Sequence, residues 1–210
     1  MCDHLQVWDY AANHSHFLAP LPNMHTFGPD MRFYAKHNAR GIFMQGIPRV
    51  PGGTRSPMCA WVVAKLMWDP SRDTRELEQD FIWGTWGNVA PSMTAYYELL
   101  ADLVNIDQYP VGGSRYEMTE SFITANFLKE ATRLFDQAEN MAESEQMHRR
   151  VEQARLSVMY TQLMRGPDEV GDEYPALIDR FASIADREGI RWLGMHSGTM
   201  QLDMKVEQWH

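Results

Sequence analysis

Three adjacent side chains near the start of the 210-residue chain, Trp8, Asp9 and Tyr10, combine two aromatic rings with a carboxylate. Aromatic faces stack on the apolar C–H face of a pyranose ring, and a carboxylate accepts hydrogen bonds from neighbouring hydroxyl groups. The three residues therefore predict a sugar-binding site. They also fit a structural interpretation, in which both rings belong to the core and Asp9 caps a loop.

Two further polar residues are candidates for the same site. Gln45 offers a donor and an acceptor to a sugar hydroxyl, although a Gln-Gly pair that closes a loop explains it equally well. His14 lies in the loop after Tyr10 and is expected to form hydrogen bonds near the sugar. His14 and His16 could also suggest a metal, but no carboxylate or cysteine stands at a recognised ligand spacing. We therefore predict neither a metal nor a cofactor.

The elements that must position these residues form a strand–helix–strand unit. Residues 5–10 alternate like a strand, and Phe27, Met31 and Tyr34 recur at helical spacing after a long loop. Residues 41–46 then form a short apolar strand. Such a unit favours parallel strands, and ligands of strand–helix barrels bind at the carboxyl ends of those strands. We therefore expect the candidate residues to share one edge of the sheet.

The rest of the chain is predicted to be helical. Residues 58–68 are apolar on nearly every side, which predicts a buried helix. Asp73, followed three positions later by Glu76, predicts a capped start for the next helix. Gly84 and Gly87 are expected to end that helix.

Two long helices follow a break expected at residues 109–113. Apolar stripes within 123–138 and 147–158 have helical spacing, and the short link at 142–144 predicts an antiparallel hairpin. The aromatic side chains of the helical region could form carbohydrate platforms, but their spacing favours packing. This aromatic set comprises Trp61, Trp68, Trp83, Trp86, Tyr96 and Tyr97.

Composition excludes several classes of partner. The net charge of -9 and the lack of a Lys/Arg-rich block argue against nucleic acid and anionic membranes. The longest apolar run, 58–64, is far shorter than the roughly 20 residues that span a bilayer. Two cysteines, Cys2 and Cys59, cannot form a disulfide framework.

The first residues lack the features of a signal peptide, which predicts a cytoplasmic location for the chain as written, although a longer parent protein could be exported.

The chain resembles a bacterial family of uncharacterised proteins related to α-glucuronidases and similar barrel glycosidases. The resemblance rests on residues 8–10, 32–34, 41–46 and above all 64–70, AKLMWDP. It implies an N-terminal domain and most of a (β/α)8 barrel before the region seen here. The sequence differs from the family at one place, where residues 57–59 are Pro-Met-Cys and the family has a Glu-Leu-Arg-like stretch.

Together these observations predict a mainly α chain. Residues 1–52 are the last strand–helix units of a (β/α)8-type barrel, and residues 53–210 are an all-helical C-terminal domain. The expected function is that of the C-terminal portion of a glycoside hydrolase-like protein, with an oligosaccharide or polysaccharide as its ligand.

Catalysis by this chain alone is not expected. Glycoside hydrolysis usually needs two carboxylates, and Asp9 is the one carboxylate at the predicted strand ends. The catalytic acids are therefore expected on upstream strands. The alternative is a non-catalytic helical interaction module or carbohydrate-binding module.

Overall fold

The structure is a computed structural model that describes residues 4–47, 56–103, 122–195 and 200–210. The break predicted at residues 109–113 lies outside these ranges. Within them the protein is mainly helical, as the sequence predicts.

The two predicted strands are present and parallel. Strand β1 spans Leu5–Tyr10, helix α1 spans Met24–Lys36, and strand β2 spans Ala39–Gln45. The register places Trp8 opposite Phe43 and the last residues of the two strands opposite each other. The strand–helix–strand unit is therefore confirmed. In the described part of the chain the sheet consists of these two strands, and no closed barrel is formed.

Eight further α-helices lie in the described ranges, and none of the helices there has the length and apolar character needed to cross a bilayer. They are α2 (Ser56–Trp68), α3 (Thr74–Trp86), α4 (Ala90–Ala101), α5 (Ala125–Met141), α6 (Glu145–Arg165), α7 (Pro167–Val170), α8 (Tyr174–Arg187) and α9 (Leu202–Trp209). The predicted hairpin of two long helices corresponds to α5 and α6, which pack together across a three-residue link.

The start of α3 is as predicted, and the prediction for its end is confirmed for Gly87 but wrong for Gly84. Asp73 caps the helix, because its Oδ1 accepts a hydrogen bond from the backbone N–H of Glu76 at 3.0 Å. Gly84 lies inside the helix, which continues to Trp86. A glycine costs a helix interior only about 1 kcal/mol and need not end it. The helix ends where Gly87 adopts a positive φ of 48°, a conformation that favours glycine.

Helix α2 buries one side rather than its whole circumference. Val62 and Leu66 are fully buried, and the main neighbours of the helix are α1 and α3. Because these neighbours cover one side, the expectation of a wholly buried helix is wrong. The packing interpretation is also wrong for Trp68 and Trp83, which are exposed, whereas the ring of Trp61 is partly covered by Phe81 and Lys65. It is confirmed for the remaining aromatic residues of that set, which are buried: Trp86, Tyr96 and Tyr97.

Two clusters of buried side chains form the core. The first joins helices α1 to α6, and Met24 and Phe27 belong to it. The second joins the loop after β1 to α6, α8 and α9, and includes Phe17 and Leu18. The N-terminal part of the chain thus contributes to both clusters. The division into domains at residues 52 and 53 stays a prediction.

Candidate functional site

One face of the two-stranded sheet carries exposed aromatic side chains. Trp8 is 65% exposed, Phe43 is 56% exposed and Tyr10 is 43% exposed. The register and the two-residue period of a strand place these rings on the same side as Gln6 and Gln45. We call these five residues the aromatic face. Three members of the aromatic face, Trp8, Tyr10 and Gln45, belong to the set of residues predicted from the sequence to bind sugar.

Trp8 is fixed at the centre of the aromatic face. Its indole N–H donates a hydrogen bond to Oε1 of Gln45 at 2.9 Å. Its ring meets the ring of Phe43 edge to face, with centroids 4.9 Å apart. The indole is therefore held in one orientation while most of its surface stays accessible. Because Trp8 engages the oxygen of Gln45, the amide nitrogen is the part of that side chain left to donate to a ligand.

Gly41 makes room for another member of the aromatic face. It lies opposite Gln6 in the register, and a Cβ atom at position 41 would lie 2.0 Å from Oε1 of Gln6. Any larger residue at this position would displace the Gln6 side chain. The glycine therefore sets the position of the second amide on this face.

Asp9 lies on the opposite side of the sheet from Trp8 and Tyr10. Its Oδ2 accepts a hydrogen bond from the hydroxyl of Tyr34 on α1 at 2.8 Å, and its Oδ1 accepts one from the backbone N–H of Tyr10 at 2.7 Å. Successive residues of a strand point to opposite faces, so three adjacent residues cannot share one face. The structure thus joins Trp8, Tyr10 and Gln45 and separates Asp9 from them.

A second carboxylate lies near Asp9. Asp30 precedes Tyr34 by four residues, so both lie on one side of α1. Burial raises the pKa of Asp30 most, a hydrogen bond with the Thr26 side chain opposes this, and the charge of Asp9 raises the pKa further. Burial also raises the pKa of Tyr34, as does its hydrogen bond to Asp9. Asp30 was not predicted from the sequence as a candidate, although its helical spacing to Tyr34 could have indicated it.

The loop histidines lie beneath the surface. His14 is buried, and its ring meets the ring of Tyr10 edge to face at 5.6 Å between centroids. His16 is also buried, and its Nδ1 lies 2.8 Å from the hydroxyl of Tyr160 on α6. His14 therefore contacts the aromatic face through the ring of Tyr10. Among the described residues, no three His, Cys, Asp or Glu side chains are grouped as a metal site would require.

A cavity of about 390 Å³ lies at the carboxyl ends of the strands, between the loop after β1 and helix α2. Ile42 and Met44, which line it, alternate with Phe43 along β2 and so belong to the side of the sheet opposite the aromatic face. Cys59 and Val63 of α2 form another wall, and Ser157 of α6 also contributes. This cavity was not predicted from the sequence, because it depends on how the loop after β1 folds back over the sheet.

Comparison with known proteins gives one match. No curated protein and no solved structure matches the chain. One family model matches the N-terminal part of the chain, which contains the sheet and the helices from α1 to most of α4. Over residues 1–98 the sequence matches the model of a domain of unknown function, DUF4838.

Proposed function

We propose that the aromatic face binds carbohydrate, and that the chain is the C-terminal portion of a glycoside hydrolase-like protein whose barrel the two strands help to build. The observation that carries the proposal is the indole of Trp8, 65% exposed and yet fixed by Gln45 and Phe43. A fixed ring loses little conformational entropy when a ligand stacks on it. This geometry suits the apolar face of a pyranose ring.

The neighbours of Trp8 extend the proposed site along the strand. Tyr10 lies two residues further on the same side, which corresponds to about 6.6 Å along a strand. Gln6 and Gln45 supply amide groups at either end of this row. Aromatic stacking with flanking hydrogen-bonding groups could therefore hold an oligosaccharide chain that runs along β1.

Two carboxylates near the sheet, Asp9 and Asp30, are not proposed as the catalytic acids. Asp9 and Asp30 lie on the helix side of the sheet, where Tyr34 donates a hydrogen bond to Asp9. Neither carboxylate is thus in a position to act on a sugar that stacks on Trp8. The chain alone is expected to bind a glycan without cleaving it, with the catalytic acids on upstream strands of the parent barrel.

The test is binding of neutral and acidic oligosaccharides to the full chain, measured by isothermal titration calorimetry. We expect Trp8→Ala to weaken binding about tenfold, which corresponds to about 1.4 kcal/mol. Trp68→Ala is the matched control, because Trp68 is a tryptophan of α2 that is 91% exposed.

Two results would contradict the proposal. One is that no member of the panel binds to the unsubstituted chain. The other is that Trp8→Ala and Trp68→Ala have the same effect on affinity, because sugar binding would then not depend on the aromatic face. Release of reducing sugar by the chain alone would contradict the assignment of catalysis to upstream strands.

A further inference from the structure

We propose that the cavity between the sheet and α2 binds a small, neutral and mainly aliphatic molecule that donates a hydrogen bond to Asn23. This site is distinct from the aromatic face, because Ile42 and Met44 line it from the opposite side of the sheet, although Phe43 also borders the cavity. Its volume of about 390 Å³ falls within the range of roughly 300–1,000 Å³ that is typical of ligand pockets.

The wall of the cavity determines the class of ligand. Its described lining residues include no Asp, Glu, Lys, Arg or His. Most are aliphatic, and the polar ones are Asn13, Asn23, Ser56, Cys59 and Ser157. Burial of an ion here would be costly, since no described lining residue carries a compensating charge. The wall thus favours a neutral molecule over an anion or a cation of the same size.

Asn23 is the polar group that points to a specific ligand contact. It is 8% exposed, and its Oδ1 has no hydrogen-bond partner within the described parts of the chain. Asn23 occupies the N-cap position of α1, where an asparagine oxygen usually accepts a backbone N–H. Here the side chain caps nothing, and the backbone N–H of Thr26 donates to the backbone oxygen of Asn23 instead. A buried acceptor without a partner is rare in folded proteins.

The other asparagine of the cavity shows the usual behaviour. Oδ1 of Asn13 accepts hydrogen bonds from the backbone N–H groups of Ser15 and His16, at 2.9 Å and 3.3 Å. This side chain therefore stabilises the loop that roofs the cavity. Asn23 differs because no described residue donates a hydrogen bond to its Oδ1. A ligand with a hydroxyl or N–H group would supply that hydrogen bond.

The test uses 1-octanol as the probe and octanoate as its charged counterpart. We expect 1-octanol to bind to the full chain in isothermal titration, and octanoate to bind at least tenfold more weakly. Cys59 provides an independent readout, because it lines the cavity. In a Cys2→Ser background, 1-octanol should slow alkylation of Cys59 by iodoacetamide.

The contact with Asn23 is tested by substitution. Asn23→Leu keeps the size of the side chain and removes the acceptor, and should weaken 1-octanol binding about fivefold to tenfold. Asn140→Leu, at an exposed position on α5, is the matched control and should leave binding unchanged. Thermal melts establish that both variants are folded. Equal binding of octanol and octanoate, full reactivity of Cys59 with octanol present, or unchanged affinity in folded Asn23→Leu would each overturn the proposal.

Discussion

At the scale of single residues, the strand alternation decides which side chains can act together. Trp8, Asp9 and Tyr10 are adjacent in sequence, yet the sheet separates the carboxylate from the two rings. The hydrogen bonds of Asp9 go to Tyr34 and to the backbone of Tyr10. The geometry therefore favours a structural role for Asp9 over direct contact with a sugar.

Asp9→Asn separates these two roles. A structural role predicts a lower free energy of unfolding, by about 1 kcal/mol, because the hydrogen bond from Tyr34 loses its charged acceptor. Affinity for a sugar that binds at Trp8 should stay within about twofold. Urea unfolding and isothermal titration of the same variant measure the two quantities. Lost affinity with unchanged stability would instead make Asp9 a ligand of the sugar.

At the scale of elements, a group of charged side chains joins three helices. Arg155 of α6 donates to Asp136 at 2.5 Å and to Glu139 at 3.1 Å, and both acids belong to α5. Arg180 of α8 donates to the other oxygen of Glu139 at 2.6 Å. Arg155 is buried, so its positive charge is stabilised by these carboxylates instead of by water. The cluster thus fixes the relative positions of α5, α6 and α8.

We expect Arg155→Met to lower the free energy of unfolding by about 2–3 kcal/mol. Loss of one partner of a buried ion pair typically costs about 3–5 kcal/mol, and Arg180 reduces the penalty here because it still compensates Glu139. Arg133→Met is the matched control, since Arg133 forms an exposed pair with Glu130 on α5. Such a pair contributes under about 1 kcal/mol. Chemical denaturation that gives equal values for both variants would contradict the structural role of Arg155.

The sequence predicts elements better than it predicts their surroundings. The α5–α6 hairpin follows from its apolar stripes, and the Asp73 cap follows from the local pattern. The exposed side of α2 does not follow, because an apolar sequence does not reveal how many neighbours a helix has. Trp68 therefore looked like a packing residue and is almost fully exposed.

The candidate sites show the same limit. Trp8, Tyr10 and Gln45 could be placed together because parallel strands and their side-chain period are local properties. Phe43 could have been added from the register alone. The cavity could not be predicted, since it forms only where the loop after β1, α2 and Ser157 meet in three dimensions. The unpartnered Oδ1 of Asn23 could not be predicted either, since an asparagine at an N-cap position usually accepts a backbone N–H.

At the scale of the whole molecule, the two core clusters make the N-terminal part of the chain integral to the fold. The loop after β1 contributes Phe17 and Leu18 to the cluster around α6, α8 and α9. Its His16 side chain also contacts the hydroxyl of Tyr160, which lies at the centre of that cluster. The site-bearing loop and the helical region are therefore held by the same buried tyrosine.

This tyrosine predicts how the stability of the whole molecule depends on pH. Burial raises the pKa of Tyr160, and burial also raises the pKa values of Tyr34 and Tyr174. A raised pKa means that the folded state holds the phenolic proton more tightly than the unfolded state does. The resulting stabilisation is fully present below the unfolded value near 10 and is lost as the pH rises towards the folded value. Stability should therefore fall steeply above about pH 10.

Tyr160→Phe tests this dependence, because phenylalanine keeps the ring and has no proton to lose. At neutral pH the variant should be less stable by about 0.5–1.5 kcal/mol, since it loses the hydrogen bond with His16. Above pH 10 its stability should fall less steeply, by about 1.4 kcal/mol per pH unit, which is the contribution of one titrating group. Urea unfolding of the variant and of the unsubstituted chain between pH 8 and pH 11 measures both slopes. If the two slopes are equal, the titration of Tyr160 does not contribute to the loss of stability at alkaline pH.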